Sequence, residues 1–296
     1  MGRRRRSRAG GVLAVLAVGA VATGGVVWFL AGQDSGPVTE RCAAALEGTD
    51  WYFSPVQAEH AALLTGVSLQ RGLPARAATI ALATALQESK LVNIDYGDRD
   101  SLGLFQQRPS QGWGTPEEIM DPVYSTNAFY DGLEKVDGYA DMAVTVAAQA
   151  VQRSAFPEAY AQHETRSRAW ASALTGHSAG AVTCELRDVD EGGPTGVRAQ
   201  ESVSERAARD LELDRSTRHV GATDVVIDAS SLPFDDAGRR TWAVAHWAVA
   251  TAAATGAVEV RAGDRVWTRD AASWSPLDGE AQPPDQVTVV VSPDPG

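Results

Sequence analysis

The chain has 296 residues, a formal net charge of −12 and 44% hydrophobic residues. Its length exceeds that of most single domains, so two folded units are the starting expectation, and the composition excludes a disordered chain. The charge excludes a nucleic-acid binder, which needs clustered Lys and Arg for phosphate contacts.

The one basic cluster, Arg3, Arg4, Arg5, Arg6 and Arg8, forms a tail over residues 1–8. Residues 9–31 follow without a charged side chain. That run matches the roughly 20 residues a helix needs to cross a bilayer. Arginines on its near side predict a cytoplasmic N-terminus and an extracytoplasmic body, held in the cell membrane by a single-pass signal-anchor. A cleaved signal peptide is the competing reading; it shares the basic start but normally has a shorter apolar core. Cys42 and Cys184 are the only cysteines. Outside the membrane a disulfide between them would persist and tie together the two ends of one domain. Two free buried thiols are the alternative.

Residues 42–184 read as almost wholly helical. Ser54-Pro55-Val56-Gln57 combines an N-cap, a Pro in the first turn and a capping-box Gln. Val56, Leu63, Leu64 and Val67 then fall near one face, and Gly72 supplies the stop. Pro74 opens a second helix that ends near Ser89. Thr115-Pro116-Glu117-Glu118 is another capping box, and Asp121-Pro122 begins a longer helix. Residues 141–154 and 157–174 complete the set. Between 91 and 114 no helical period survives, and a polar loop of that length inside a helical domain suggests function.

Residues 187–222 are acidic and rich in breakers around Gly192-Gly193-Pro194, which predicts a linker carrying at most one short helix. Beyond it, Val225-Val226-Ile227 reads as a strand and residues 235–255 as a helix. Residues 258–260 and 265–268 form a hairpin around Ala262-Gly263-Asp264, and residues 287–291 a last strand. This tail, 223–296, is expected to be a small α+β module with its own core. The predicted fold is therefore a mainly α domain over 38–186 and that module, behind an N-terminal transmembrane helix.

The stretch that carries chemistry runs Ala85-Leu86-Gln87-Glu88-Ser89-Lys90-Leu91 and then Gly97-Asp98-Arg99-Asp100-Ser101-Leu102-Gly103-Leu104-Phe105-Gln106-Gln107-Arg108-Pro109. Glu88 lies at the C-terminal end of an apolar helix, where the macrodipole opposes negative charge and an Ala- and Leu-rich setting favours the neutral acid. A general acid needs that environment. Asp98, Ser101, Gln106 and Gln107 offer hydrogen-bonding groups beside it, and Gly97 and Gly103 allow close backbone approach. Taken alone, a Glu at a helix end is most often a solvated surface residue.

Gln87-Glu88-Ser89 followed by Ser101-Leu102-Gly103-Leu104-Phe105-Gln106-Gln107 resembles the signature of lysozyme-like lytic transglycosylases, and within them a membrane-anchored, wall-associated branch of high-GC Gram-positive bacteria. Asp121-Pro122 with Asn127, Phe129, Tyr130 and Leu133 is similar to a second motif of that superfamily. The resemblance covers residues 42–161. Residues 242–247 and 266–268 look like a companion module, of unknown role, found beside such domains.

The resemblance implies a lysozyme-like domain that cleaves the glycan strands of peptidoglycan, as a lytic transglycosylase or a muramidase, with Glu88 as acid/base. It implies substrate contacts from Ser89, Asp98, Asp100, Ser101, Gln106, Gln107 and Tyr130. The family's Ala-Tyr-Asn-Ala-Gly motif is absent, and Ala147-Ala148-Gln149-Ala150-Val151-Gln152 stands near its place. Gln149 and Gln152 are then the candidates to replace the missing Tyr and Asn. That departure keeps a second reading open, a non-catalytic peptidoglycan-binding scaffold with a degenerate cleft. Cell-wall or division proteins are the partners expected for the C-terminal module.

No metal or cofactor is expected. Two cysteines without nearby histidines do not make a zinc site, and Asp95, Asp98 and Asp100 lack the oxygen-ligand pattern of an EF-hand loop. His246, between Ala245 and Trp247 on an apolar helix, reads as a core histidine. Trp242, Trp247, Trp267 and Trp274 read as core in preference to a sugar-stacking platform.

Overall fold

A computed structural model of the protein describes residues 39–154, 158–189 and 193–294. Strands β1 (Arg41–Leu46) and β2 (Thr49–Phe53) form a hairpin. Its two turn residues, Glu47 and Gly48, both have positive φ, 52° and 75°, the hand that suits the twist of flanking strands. Helices α1 (Pro55–Gln70) and α2 (Ala75–Ser89) follow. After the long loop come α3 (Pro116–Met120), α4 (Pro122–Leu133), α5 (Val144–Gln152) and α6 (Glu164–Leu174). The chain then returns as β3 (Val182–Glu185), antiparallel to β1, in a sheet of order β2-β1-β3. Cys42 faces Cys184 in that pairing, and the two form a disulfide.

The rest of the chain contributes α7 (Gly196–Leu211), β4 (Thr217–Val220), β5 (Asp224–Asp228), α8 (Ala237–Ala250) and the single turn α9 (Ala252–Thr255). Strands β6 (Ala257–Ala262), β7 (Arg265–Thr268), β8 (Ser273–Pro276) and β9 (Gln286–Val291) complete it. All pairings in the second sheet are antiparallel, and its order is β4-β5-β9-β6-β7-β8.

Both predicted capping boxes form: Ser54 with Gln57 at α1 and Thr115 with Glu118 at α3. Helix α1 departs from the expected one-faced pattern. Every residue from Ala61 to Leu69 is buried, while Val56 is exposed. The cause is its position between α2 and α4 on one side and α7 and α8 on the other. A helix enclosed all round has no solvent face to keep polar. Gly66 permits the tightest of these crossings, since a Cβ there would lie 2.2 Å from the Asp210 carbonyl oxygen of α7.

These contacts correct the predicted fold. The domain is not mainly helical with a separate module behind it, because two antiparallel sheets and the helices share one core. From Glu40 onward the described residues form one compact unit. The stretch expected to be a linker contains α7, which packs on α1 and bonds to it through Arg206 and Glu59. The expected independent tail supplies α8, which packs on α1, α6 and β3. His246 of α8 is fully buried at that junction, donating from Nδ1 to the Ala173 carbonyl at 2.7 Å and accepting the Ala181 N–H at Nε2 at 3.0 Å. Trp247 and Trp267 are fully buried, and Trp242 meets Trp274 edge to face. Among the described residues no helix is long and apolar enough to cross a membrane. The expected transmembrane helix, residues 9–31, lies outside the described residues.

Candidate functional site

The site is built where α2 ends. Lys90 and Leu91 both take left-handed backbone angles, φ 59° and 60°, which L-residues adopt only at a cost. Two side chains of α1 hold them there: Gln57 Nε2 donates to the Lys90 carbonyl at 2.8 Å and His60 Nδ1 to the Leu91 carbonyl at 2.9 Å. This abrupt stop leaves Glu88 and Ser89 in opposite environments. Ser89 is buried, and its hydroxyl donates to the Leu104 carbonyl at 2.8 Å. Glu88 lines an open cleft.

The polar loop after α2 is ordered around a very small hairpin. Leu102 and Gln107 exchange both backbone hydrogen bonds at 3.0 Å. At its tip Leu104 and Phe105 point inward and are fully buried, Phe105 stacking on Phe129 of α4 with ring centres 4.5 Å apart. Gln152 Nε2 of α5 donates to the Phe105 carbonyl at 2.8 Å. Gly97 is required by close approach, because a Cβ there would lie 1.9 Å from Gln106 Oε1. Apolar anchors below and polar side chains above make this loop one wall of the cleft.

Tyr160 completes the surroundings of Glu88. Its hydroxyl is 2.7 Å from Glu88 Oε1. Burial pushes the Tyr160 phenol above its ordinary range, and the bond to Glu88 acts in the same direction. The phenol therefore keeps its proton and donates to Glu88 Oε1. Gln87, one residue earlier on α2, accepts at Oε1 from Gln162 Nε2 and His163 Nε2, both at 3.1 Å. Those bonds fasten the segment that presents Tyr160.

The cleft has two lobes. The one at Glu88 encloses about 550 Å³ and brings together Asp98, Ser101, Gln106, Gln107 and Gln152. Gln107 is only 2% exposed, its amide donating to the Ser125 carbonyl, so it shapes the wall more than it reaches out. The second lobe, about 830 Å³, shares Gln111, Trp113, Gln152 and Arg153 with the first and extends along α4 and α5.

Four of the residues expected to bind substrate do not reach this cleft. Ser89 is a buried tether. Tyr130 is fully buried, its hydroxyl donating to the Leu64 carbonyl at 2.9 Å. Gln149 turns back to the Ser154 carbonyl at 2.8 Å. Asp100 is committed to Arg108 Nε and the Ser110 N–H, both at 2.8 Å, and the bonds from Ser110 and Arg108 hold its carboxyl well below the usual range. Residues not foreseen are Tyr160, Arg99, Arg108, Gln111, Trp113, Arg153 and Ser154. Only Trp113, an aromatic next to glycines in a polar loop, gave a local signal. No protein-family model and no curated protein matches the chain.

Proposed function

We propose that the protein cleaves the glycan strands of peptidoglycan outside the cytoplasmic membrane, with Glu88 as acid and then base. The observation that carries this reading is a carboxyl on the wall of a long open cleft, oriented by a buried tyrosine hydroxyl and faced by amides and hydroxyls. A polysaccharide needs such a groove, and a general acid must be held in one orientation beside it. The resemblance of the surrounding motifs to lytic transglycosylases, and a disulfide suited to an oxidising compartment, agree with it.

Glu88 would protonate the oxygen leaving the anomeric carbon, while the sugar's own N-acetyl group assists from the other side. Glu88 would then take the proton of the sugar's 6-hydroxyl as that oxygen closes on the anomeric carbon, leaving a 1,6-anhydro end. A single carboxylate is sufficient for this route, and Asp100 is already engaged with Arg108. Asp98, with its side chain 90% exposed, is the other carboxylate on this lobe. If it directs a water, the product is a reducing end instead.

The test is zymography on purified peptidoglycan, followed by mass analysis of the new ends. Glu88→Gln should remove all lysis while leaving the melting transition in place. Lysis by that variant at the wild-type rate would refute the assignment. Anhydro ends would identify the transglycosylase route, and reducing ends that vanish with Asp98→Asn the hydrolytic one. Strands retained without any new ends would identify the binding scaffold, whose support is the absence of the family's Tyr and Asn from residues 147–152, where Gln149 is turned back to the Ser154 carbonyl.

A further inference from the structure

The larger lobe of the cleft continues the one at Glu88 and adds Lys135 to the shared Arg153. In a chain of net charge −12, its lining includes two cations, Lys135 and Arg153. Both are exposed, and among the described residues neither forms an ion pair. Its one carboxylate, Asp131, is occupied by Arg71 at 2.6 Å. Trp113, half-buried, stands between the lobes. Gly132 keeps the space below it open, because a Cβ there would meet Val151 Cγ1 at 3.0 Å and the Trp113 ring at 3.8 Å. Arg153 is held at the junction by the left-handed cap of α5, φ 53°, whose N–H bonds to the Gln149 carbonyl.

We infer that this lobe is a subsite for carboxylate groups carried by the glycan, with Lys135 and Arg153 as the recognising cations and Trp113 as the sugar platform. The inference rests on the glycan-cleavage reading above and adds which strands are preferred. A neutral sugar chain would leave both cations without partners, whereas a muramyl residue carries a carboxylate either on its lactyl ether, once its peptide has been removed, or on the attached peptide. Charge-assisted bonds from Lys and Arg are stronger than neutral ones, and Arg can hold a carboxylate with two parallel N–H groups. Both cations are open to solvent, so their contribution should be screened by salt.

The experiment uses the full chain carrying Glu88→Gln, so that ligands are bound and not consumed. Three probes are titrated by calorimetry: a neutral chitooligosaccharide, peptide-free peptidoglycan strands, and strands that retain their peptides. At low salt the carboxylate-bearing strands should bind more tightly than the neutral oligosaccharide by roughly tenfold, the ratio that about 1.4 kcal/mol corresponds to. That ratio should fall towards one with Lys135→Gln and Arg153→Gln combined, and also in high salt. Preference for the peptide-free strands assigns the lactyl carboxylate, and preference for peptide-bearing strands the peptide. If all probes bind but the ratio is near one, or is unchanged by the double substitution, the subsite is refuted and the glycan reading survives. If no probe binds, both fall.

Discussion

Glu88 is held by a neighbour 72 residues away in sequence. In the proposed reaction Tyr160 would act through Glu88, as a positioning residue. Tyr160→Phe removes one hydrogen bond to Glu88, worth about 0.5–1.5 kcal/mol, so kcat should drop by roughly 2- to 10-fold. KM should change little, because the hydroxyl is spent on Glu88 and not on substrate. Kinetics on soluble glycan that show a raised KM with normal kcat would instead place Tyr160 among the substrate contacts. That Glu88 and its polar loop share one cleft could be expected from their closeness in sequence. The role proposed for Glu88 rests on the resemblance of its motif, since a Glu at a helix end is by itself most often a solvated surface residue. Tyr160 was not legible in the sequence, since it sits in Glu158-Ala159-Tyr160-Ala161, where neither period nor spacing marks it. Tyr130 illustrates the reverse error. It lies in a recognisable motif, but its hydroxyl closes a backbone carbonyl inside the core.

Among the elements, α2 is the one whose ending matters most. Lys90 is exposed and left-handed, a conformation in which glycine has no Cβ penalty. Lys90→Gly should therefore raise stability by about 1 kcal/mol, read as a higher denaturant midpoint with unchanged slope, and leave Gln57 bonded to the same carbonyl. A lower midpoint would mean that the lysine side chain makes contacts that outweigh the strain. Helix starts were readable because Ser54, Thr115 and Asp121 each announce themselves with a following Pro. The small sheet was not. Arg41-Cys42-Ala43-Ala44-Ala45-Leu46 has the composition of a helix, and only pairing with β2 and β3 makes it a strand. In the tail, β5, β6, β7 and β9 were visible from their Val-rich alternation, whereas β4 and β8, at the sheet edges, carry more polar sequences.

For the whole molecule, a shared core implies shared stability. Ending the chain at residue 222 would remove α8 and expose the sides of α1 and α6 that it covers. Residues 39–222 alone should thus show no cooperative melt by circular dichroism, and a truncated protein that melts sharply near the full-length temperature would sink this view. Burial holds the imidazole of His246 down to about 4, from 6.5. Between those values the unfolded chain binds the extra proton, so stability rises with pH through that window and is complete above it. The contribution is on the order of 3 kcal/mol. Melts at stepped pH check the direction, and His246→Phe should flatten the slope even as it lowers stability. The two-unit organisation looked plausible in sequence because Gly192-Gly193-Pro194 does interrupt the pattern. What the break cannot reveal is that the elements on either side cover each other. The Cys42–Cys184 bond adds a mechanical consequence. A pull on the two ends of the chain would pass from the first strand to the third across the sulfurs, bypassing every position between two cysteines 142 apart in sequence. The segment from 43 to 183, which contains Glu88, its loop and Tyr160, would carry no tension even after the strands had parted. In a single-molecule stretching measurement the oxidised chain should come up short by roughly 50 nm of contour length, and a reductant should restore it.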